Sequence, residues 1–94
     1  MTSRSRRAYY EDFQGRVRGV LAAFEELFPR QQVEVLEQMI DANETGVALD
    51  ILTAMLTEVH AVVSIDLFVQ IDRLVREMEL PPEVAARVRP RLVH

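Results

Sequence analysis

Cysteine is absent from this 94-residue chain, which excludes disulfides, thiolate metal sites and thiol catalysis. Lysine is absent too, so all eleven cations are arginine; with one asparagine and abundant alanine and valine, this points to a GC-rich bacterial genome. Glycine occurs only at 15, 19 and 46, too scattered for a phosphate-cradling loop. No segment approaches the roughly 18 uninterrupted apolar residues of a membrane span, and the start, MTSRSRRAYYEDF, lacks the apolar core of a signal peptide. A cytoplasmic protein with no membrane partner is the expectation. Histidine is scarce: His60 stands at a helix end and His94 closes the sequence, with no His-x-x-x-His or Glu-x-x-His spacing suited to a metal. Carboxylates are plentiful, but they fall on convex helix faces without the apolar pocket that raises a pKa for acid–base work. The chain reads as a non-enzyme with no cofactor and no metal.

What is present is apolar surface and unevenly placed charge. Hydrophobic residues make up 49% of the chain, enough for one modest core in a domain of this length. Residues 1–30 carry six arginines against four acids, residues 31–66 seven acids and no basic residue, and residues 67–94 five arginines against four acids. The ordinary reading of a charge run is a solvated face. The sharper one is a surface that attracts a basic partner and repels nucleic acid phosphates.

The hydrophobic period is helical, with no strand-period segment and no internal repeat. Residues 1–7 are polar and arginine-rich and are expected to form a flexible arm ahead of a single helical domain over 8–94. From Ala8 to Phe28, Tyr9, Tyr10, Phe13, Val17, Val20, Leu21, Phe24, Leu27 and Phe28 fall within about 120° of a helical wheel, a strong amphipathic pattern. Gly15 and Gly19 lie opposite, where small residues four apart let another helix approach. Pro29 suits the first turn of a second helix that reaches Ala42. The inner face of that helix is Val33, Val35, Leu36, Met39 and Ile40, while Glu34, Glu37 and Asp41 share an outer strip.

Asn43 to His60 reads as the central helix. Val47, Ala48, Leu49, Ile51, Leu52, Ala54, Met55, Leu56 and Val59 spread over about 220° of its circumference, wider than the stripe of a surface helix, so neighbours are expected on several sides. The polar remainder is Asp50, Thr53 and Thr57, plus Glu58, which falls between Val47 and Ile51 and sits at the rim or pairs with an arginine. Asn43 reads as the N-cap, with Glu44 in the first turn. Asp41 to Gly46 imitates the start of a calcium loop, but Leu49 and Leu52 occupy two positions where oxygen ligands belong, which argues against calcium. Ser64 reads as the N-cap of a further helix, with Asp66 in its first turn and Leu67, Phe68, Ile71, Leu74, Val75 and Met78 inside. Pro81-Pro82 ends it and opens a short helix from Glu83 to about Arg89, bounded by Pro90. The fold class is all-α: a compact bundle of four main helices plus a short C-terminal helix.

Glu44, Gly46, Ala48, Leu49, Asp50, Leu52, Leu56 and Glu58 follow the pattern E-x-G-x-A-L-[DE]-x-L-x-x-x-L-x-E. In this the chain resembles small bacterial immunity proteins of the Maf type, which neutralise polymorphic or contact-dependent toxins. The resemblance spans Val35 to Leu80 and includes a following helix that ends in Arg-Glu-Met-Glu-Leu. His60, just after the Glu58 match, departs from the family, which has an acidic residue in that region, and the arginine-rich N-terminus has no counterpart. What the resemblance implies is an inhibitor that binds a cognate toxin protein.

Charge and resemblance together give the first functional expectation: a cognate toxin, in one form a basic nuclease-like domain, bound by Glu34, Glu37, Asp41, Glu44 and Asp50, with Thr53, Thr57 and Glu58 alongside. The alternative is a homodimeric helical adaptor, supported by the high apolar content and by Ile65 and Val69, which lie off the main stripe of their helix. A nucleic acid partner for the N-terminal arginines is disfavoured, because the acidic hairpin would repel phosphate.

Overall fold

Phe13, Val17, Val20, Leu21 and Phe24 recur every three or four residues, and they bury one face of a 22-residue helix, α1 (Ser3–Phe24). The computed structural model describes residues 3–88, with side chains from residue 6 onward. After a 3-10 turn at Glu25–Leu27 come α2 (Arg30–Asp41), α3 (Thr45–Glu58), α4 (Ile65–Glu77) and the short α5 (Glu83–Ala86). The fold is the all-α bundle expected. α1 packs against α2, α3 and α4; α3 packs against α1, α2 and α5; and α5 bridges α3 and α4. No helix among the described residues is long and apolar enough to cross a membrane.

α1 begins at Ser3 rather than Ala8, so helical backbone runs through the arginine-rich segment. Arginine is a good helix former, which permits this. At about 1.5 Å per residue α1 is roughly 33 Å long, longer than its 12- to 14-residue neighbours. Its two tyrosines therefore lie at the rim: Tyr9 and Tyr10, expected inside, are exposed, as is Leu27. Tyr9 packs edge-on against Phe13 with ring centroids 4.6 Å apart.

Three helices end alike, and none uses glycine. After α2, Asn43 takes a left-handed conformation (φ 63°), its N–H donates to Ile40 O and that of Glu44 to Met39 O. After α3, His60 (φ 53°) donates to Thr57 O while Ala61 donates to Leu56 O; after α4, Glu79 (φ 56°) donates to Arg76 O while Leu80 donates to Val75 O. These are Schellman closures, which satisfy the orphaned carbonyls of the last turn. Asn43 therefore closes α2 and does not cap α3; the cap position is Glu44, with no side-chain hydrogen bond. His60 has a conformational role at the end of α3.

Ser64 caps α4 as expected, its Oγ accepting from the Leu67 N–H at 3.2 Å. Gly46 matters for packing: a Cβ there would stand 3.0 Å from Leu80 Cδ2, so the start of α3 meets the end of α4 closely. Gly15 and Gly19 face open space and admit no close helix contact. Val84, Ala85 and Val88 complete the core from the α5 segment, and Ala61 and Val63 fill it from the α3–α4 connection. Arg89 and Pro90, the expected end of the last helix, lie outside the described residues.

Candidate protein-docking surface

The spacing of Glu34, Glu37 and Asp41 places all three on one outer strip of α2, and arginines meet them there. Arg30, one residue ahead of the cation-free stretch, lies 3.4 Å from Glu34 and 3.3 Å from Glu37. Arg18 of α1 pairs with Asp41, which puts the strip on the α1 side of α2. Nearby, Gln14 Nε2 donates to Ile40 O at 2.8 Å and fastens α1 to the end of α2.

The polar side of α3 faces inward. Thr53 has 0% exposure, and its hydroxyl donates to Asp50 O at 2.9 Å. Thr57 Oγ1 lies within hydrogen-bond reach of Thr53 O (3.0 Å) and Arg87 O (3.2 Å). Arg87 Nη1 pairs with the Asp50 carboxylate and also reaches Asp50 O at 3.0 Å and Thr53 Oγ1 at 3.3 Å. Thr53 is therefore not a surface contact, and Asp50 and Thr57 are engaged within the chain. The reason is α5, whose turn carries Arg87 over this side of α3. Sequence reasoning missed that, because nothing local ties position 87 to position 50.

Of the eight expected contact residues, Glu44 and Glu58 remain. Both are exposed, at opposite ends of α3, with no ion pair among the described residues. Glu58 takes the rim position.

Between them lies what the sequence reading placed inside. Val47 is 50% exposed, Ile51 and Met55 are half-buried, and Val59 is exposed, so positions four apart form one outward apolar stripe along α3. Val35 of α2, expected in the core, is 49% exposed beside it. Together with Gln31, Gln32, Leu36, Ile51 and Met55 it lines an open groove of about 480 Å³ between α2 and α3. The width of the apolar arc on α3 does not mean neighbours all round: α1, α2 and α5 pack on three sides, and among the described residues no helix covers the stripe on the fourth.

Away from this face, Arg16 of α1 binds Glu77 of α4 in a two-pronged pair, Nη2 to Oε2 at 2.7 Å and Nη1 to Oε1 at 3.1 Å, and also reaches Asp12. The hydrogen bond from Arg16 holds the Glu77 carboxyl below its ordinary value against an opposing cost of desolvation, with the charges of Arg16 and Arg73 adding to the lowering. Among the described residues no three histidine, aspartate or glutamate side chains converge where a metal ion could sit. No family model, curated protein or solved structure matches the chain.

Proposed function

We propose that this chain is a non-catalytic, immunity-type inhibitor that binds a basic toxin domain through the α2–α3 hairpin. The observation that carries the reading is the charge of that hairpin: Arg30 to Glu58 holds six acids against one arginine, and Glu44 and Glu58 stand exposed without an ion pair among the described residues. Glu34, Glu37 and Asp41 remain available to a partner. Their pairs with Arg30 and Arg18 are exposed, and such surface pairs contribute only about 0–1 kcal/mol, so exchanging one arginine for another costs little. The resemblance over Val35 to Leu80 points the same way, and a cytoplasmic location follows from it.

The test is co-expression with the product of the gene immediately upstream, reading complex formation and growth rescue together. A stoichiometric complex with rescue supports the proposal, and the pair Glu44→Arg with Glu58→Arg then slows association about tenfold at low salt. Triple reversal at Glu34, Glu37 and Asp41 weakens the complex further. Absence of both complex and upstream toxicity would sink the reading.

A homodimeric adaptor is the second reading, favoured by the exposed Val35, Val47 and Val59. Sedimentation equilibrium separates the two, since the adaptor requires a tight dimer of the free chain.

A further inference from the structure

Val47, Ile51, Met55 and Val59 stand four residues apart and span about 18 Å, or three turns, of α3. The groove beside them, about 480 Å³ between α2 and α3, lies within the range of ligand clefts. It is lined by the buried Leu36, the half-buried Ile51 and Met55, and the exposed Val35, Gln31 and Gln32. An apolar stripe three turns long with an open groove beside its middle turn is the shape of trough that accepts one face of an amphipathic helix, anchored at positions i, i+4 and i+7. Met55, unbranched and polarizable, adapts to whatever side chain enters.

We infer that this trough receives an amphipathic helix of the partner protein, one that carries arginine or lysine along the edges of its apolar face. The inference rests on the proposed binding role and specifies how the partner is held. Charge selects the occupant. The carboxylates at the two ends of the apolar stripe are Glu44 and Glu58, neither in an ion pair among the described residues; the nearest cations in sequence are Arg30, which pairs with Glu34 and Glu37, and Arg73, whose charge acts on Glu77 of α4. A second copy docked face to face would bring Glu58 and Glu44 against their own counterparts with no compensating cation, which disfavours self-association through this face. A basic helix meets no such penalty. Apolar contacts in the trough then set the dissociation rate, while the two glutamates set the association rate.

The probe is a capped helical peptide with leucine anchors at i, i+4 and i+7 and arginine at the flanking positions, compared with the same peptide carrying glutamate there. Methyl NMR shifts are read at Val35, Val47, Ile51 and Met55 on the full chain. The arginine peptide is expected to shift these methyls saturably and to bind at least tenfold more tightly than the glutamate peptide at low salt. Val47→Ser with Ile51→Thr is expected to weaken it at least tenfold while leaving the circular dichroism spectrum intact. Because both positions are at least partly exposed, the variant folds; Glu44→Gln with Glu58→Gln gives a second readout through loss of the preference between peptides. Absence of shifts, shifts confined to another surface such as Ile65 and Val69 of α4, equal binding of both peptides, or self-association that moves the same methyls would each overturn the inference. Peptide binding without a toxin complex leaves the trough standing and removes the immunity reading. A toxin complex indifferent to Val47→Ser with Ile51→Thr does the reverse.

Discussion

Arg87 reaches across from the turn after α5 to Asp50 in the middle of α3, binding both its carboxylate and its backbone carbonyl. The guanidinium also reaches the buried Thr53 hydroxyl, so one side chain serves three acceptors. Arg87→Ala is expected to lower stability by about 1 kcal/mol, the contribution of partly exposed charged hydrogen bonds. Asp50→Ala costs less, because Asp50 O and Thr53 Oγ1 remain as acceptors. Urea midpoints check the order. A variant at Asp50 that weakened toxin binding while leaving the midpoint unchanged would return this residue to the contact surface.

Gly15 and Gly19 sit inside α1 with open space where a Cβ would go. Alanine there gains about 0.5–1 kcal/mol per site from helix propensity. The double variant is expected to melt roughly 5–10 °C higher. Gly46→Ala is the control: its new methyl meets Leu80 at 3.0 Å, so it gains less than either.

His60 and Glu79 occupy left-handed backbone that glycine adopts without penalty. His60→Gly and Glu79→Gly are each expected to raise stability by about 0.5–1 kcal/mol, the relief of backbone strain less the extra freedom of the unfolded chain. Asn43→Gly gains less, since asparagine tolerates this conformation. Thermal unfolding followed by circular dichroism measures all three.

Glu77 carries the pH dependence. Its carboxyl is held below the ordinary 4.5 in the folded state by Arg16, so its stabilising effect is complete above that value and fades as pH falls through the folded one. The melting temperature of Glu77→Gln should therefore lie below that of the parent chain at neutral pH and converge with it in acid. A gap that persists unchanged to pH 2 contradicts the pairing.

Helix number, order and approximate ends were legible because apolar residues at three- and four-residue spacing leave no second interpretation; the Ser64 cap was legible because its hydroxyl acts on a residue three positions away. What stayed hidden depended on distant residues. Asn43 carries the same side-chain chemistry at a helix start and at a left-handed helix end, and the backbone of α2 decided between them. Thr53 looked like surface because its partner Arg87 stands 34 residues on, and its burial depends on elements distant in sequence. The acidic strip of α2 looked unopposed because residues 31–66 hold no cation, while Arg30 and Arg18 reach it from outside that stretch. The apolar arc of α3 was visible, but sequence carries no sign of which side lacks a neighbour.

The participation of Val84, Ala85 and Val88 in the core bears on how the chain is made. During synthesis, Leu52 and Leu56 emerge long before the segment that helps to enclose them, and α3 cannot be sealed until Val88 has cleared the ribosome. Until then the nascent chain offers an apolar helix on two sides, one to be closed by α5 and one left open by the described residues. A partner or chaperone that engages the open side early would find it already formed by α2 and α3, ahead of the turn that carries Arg87.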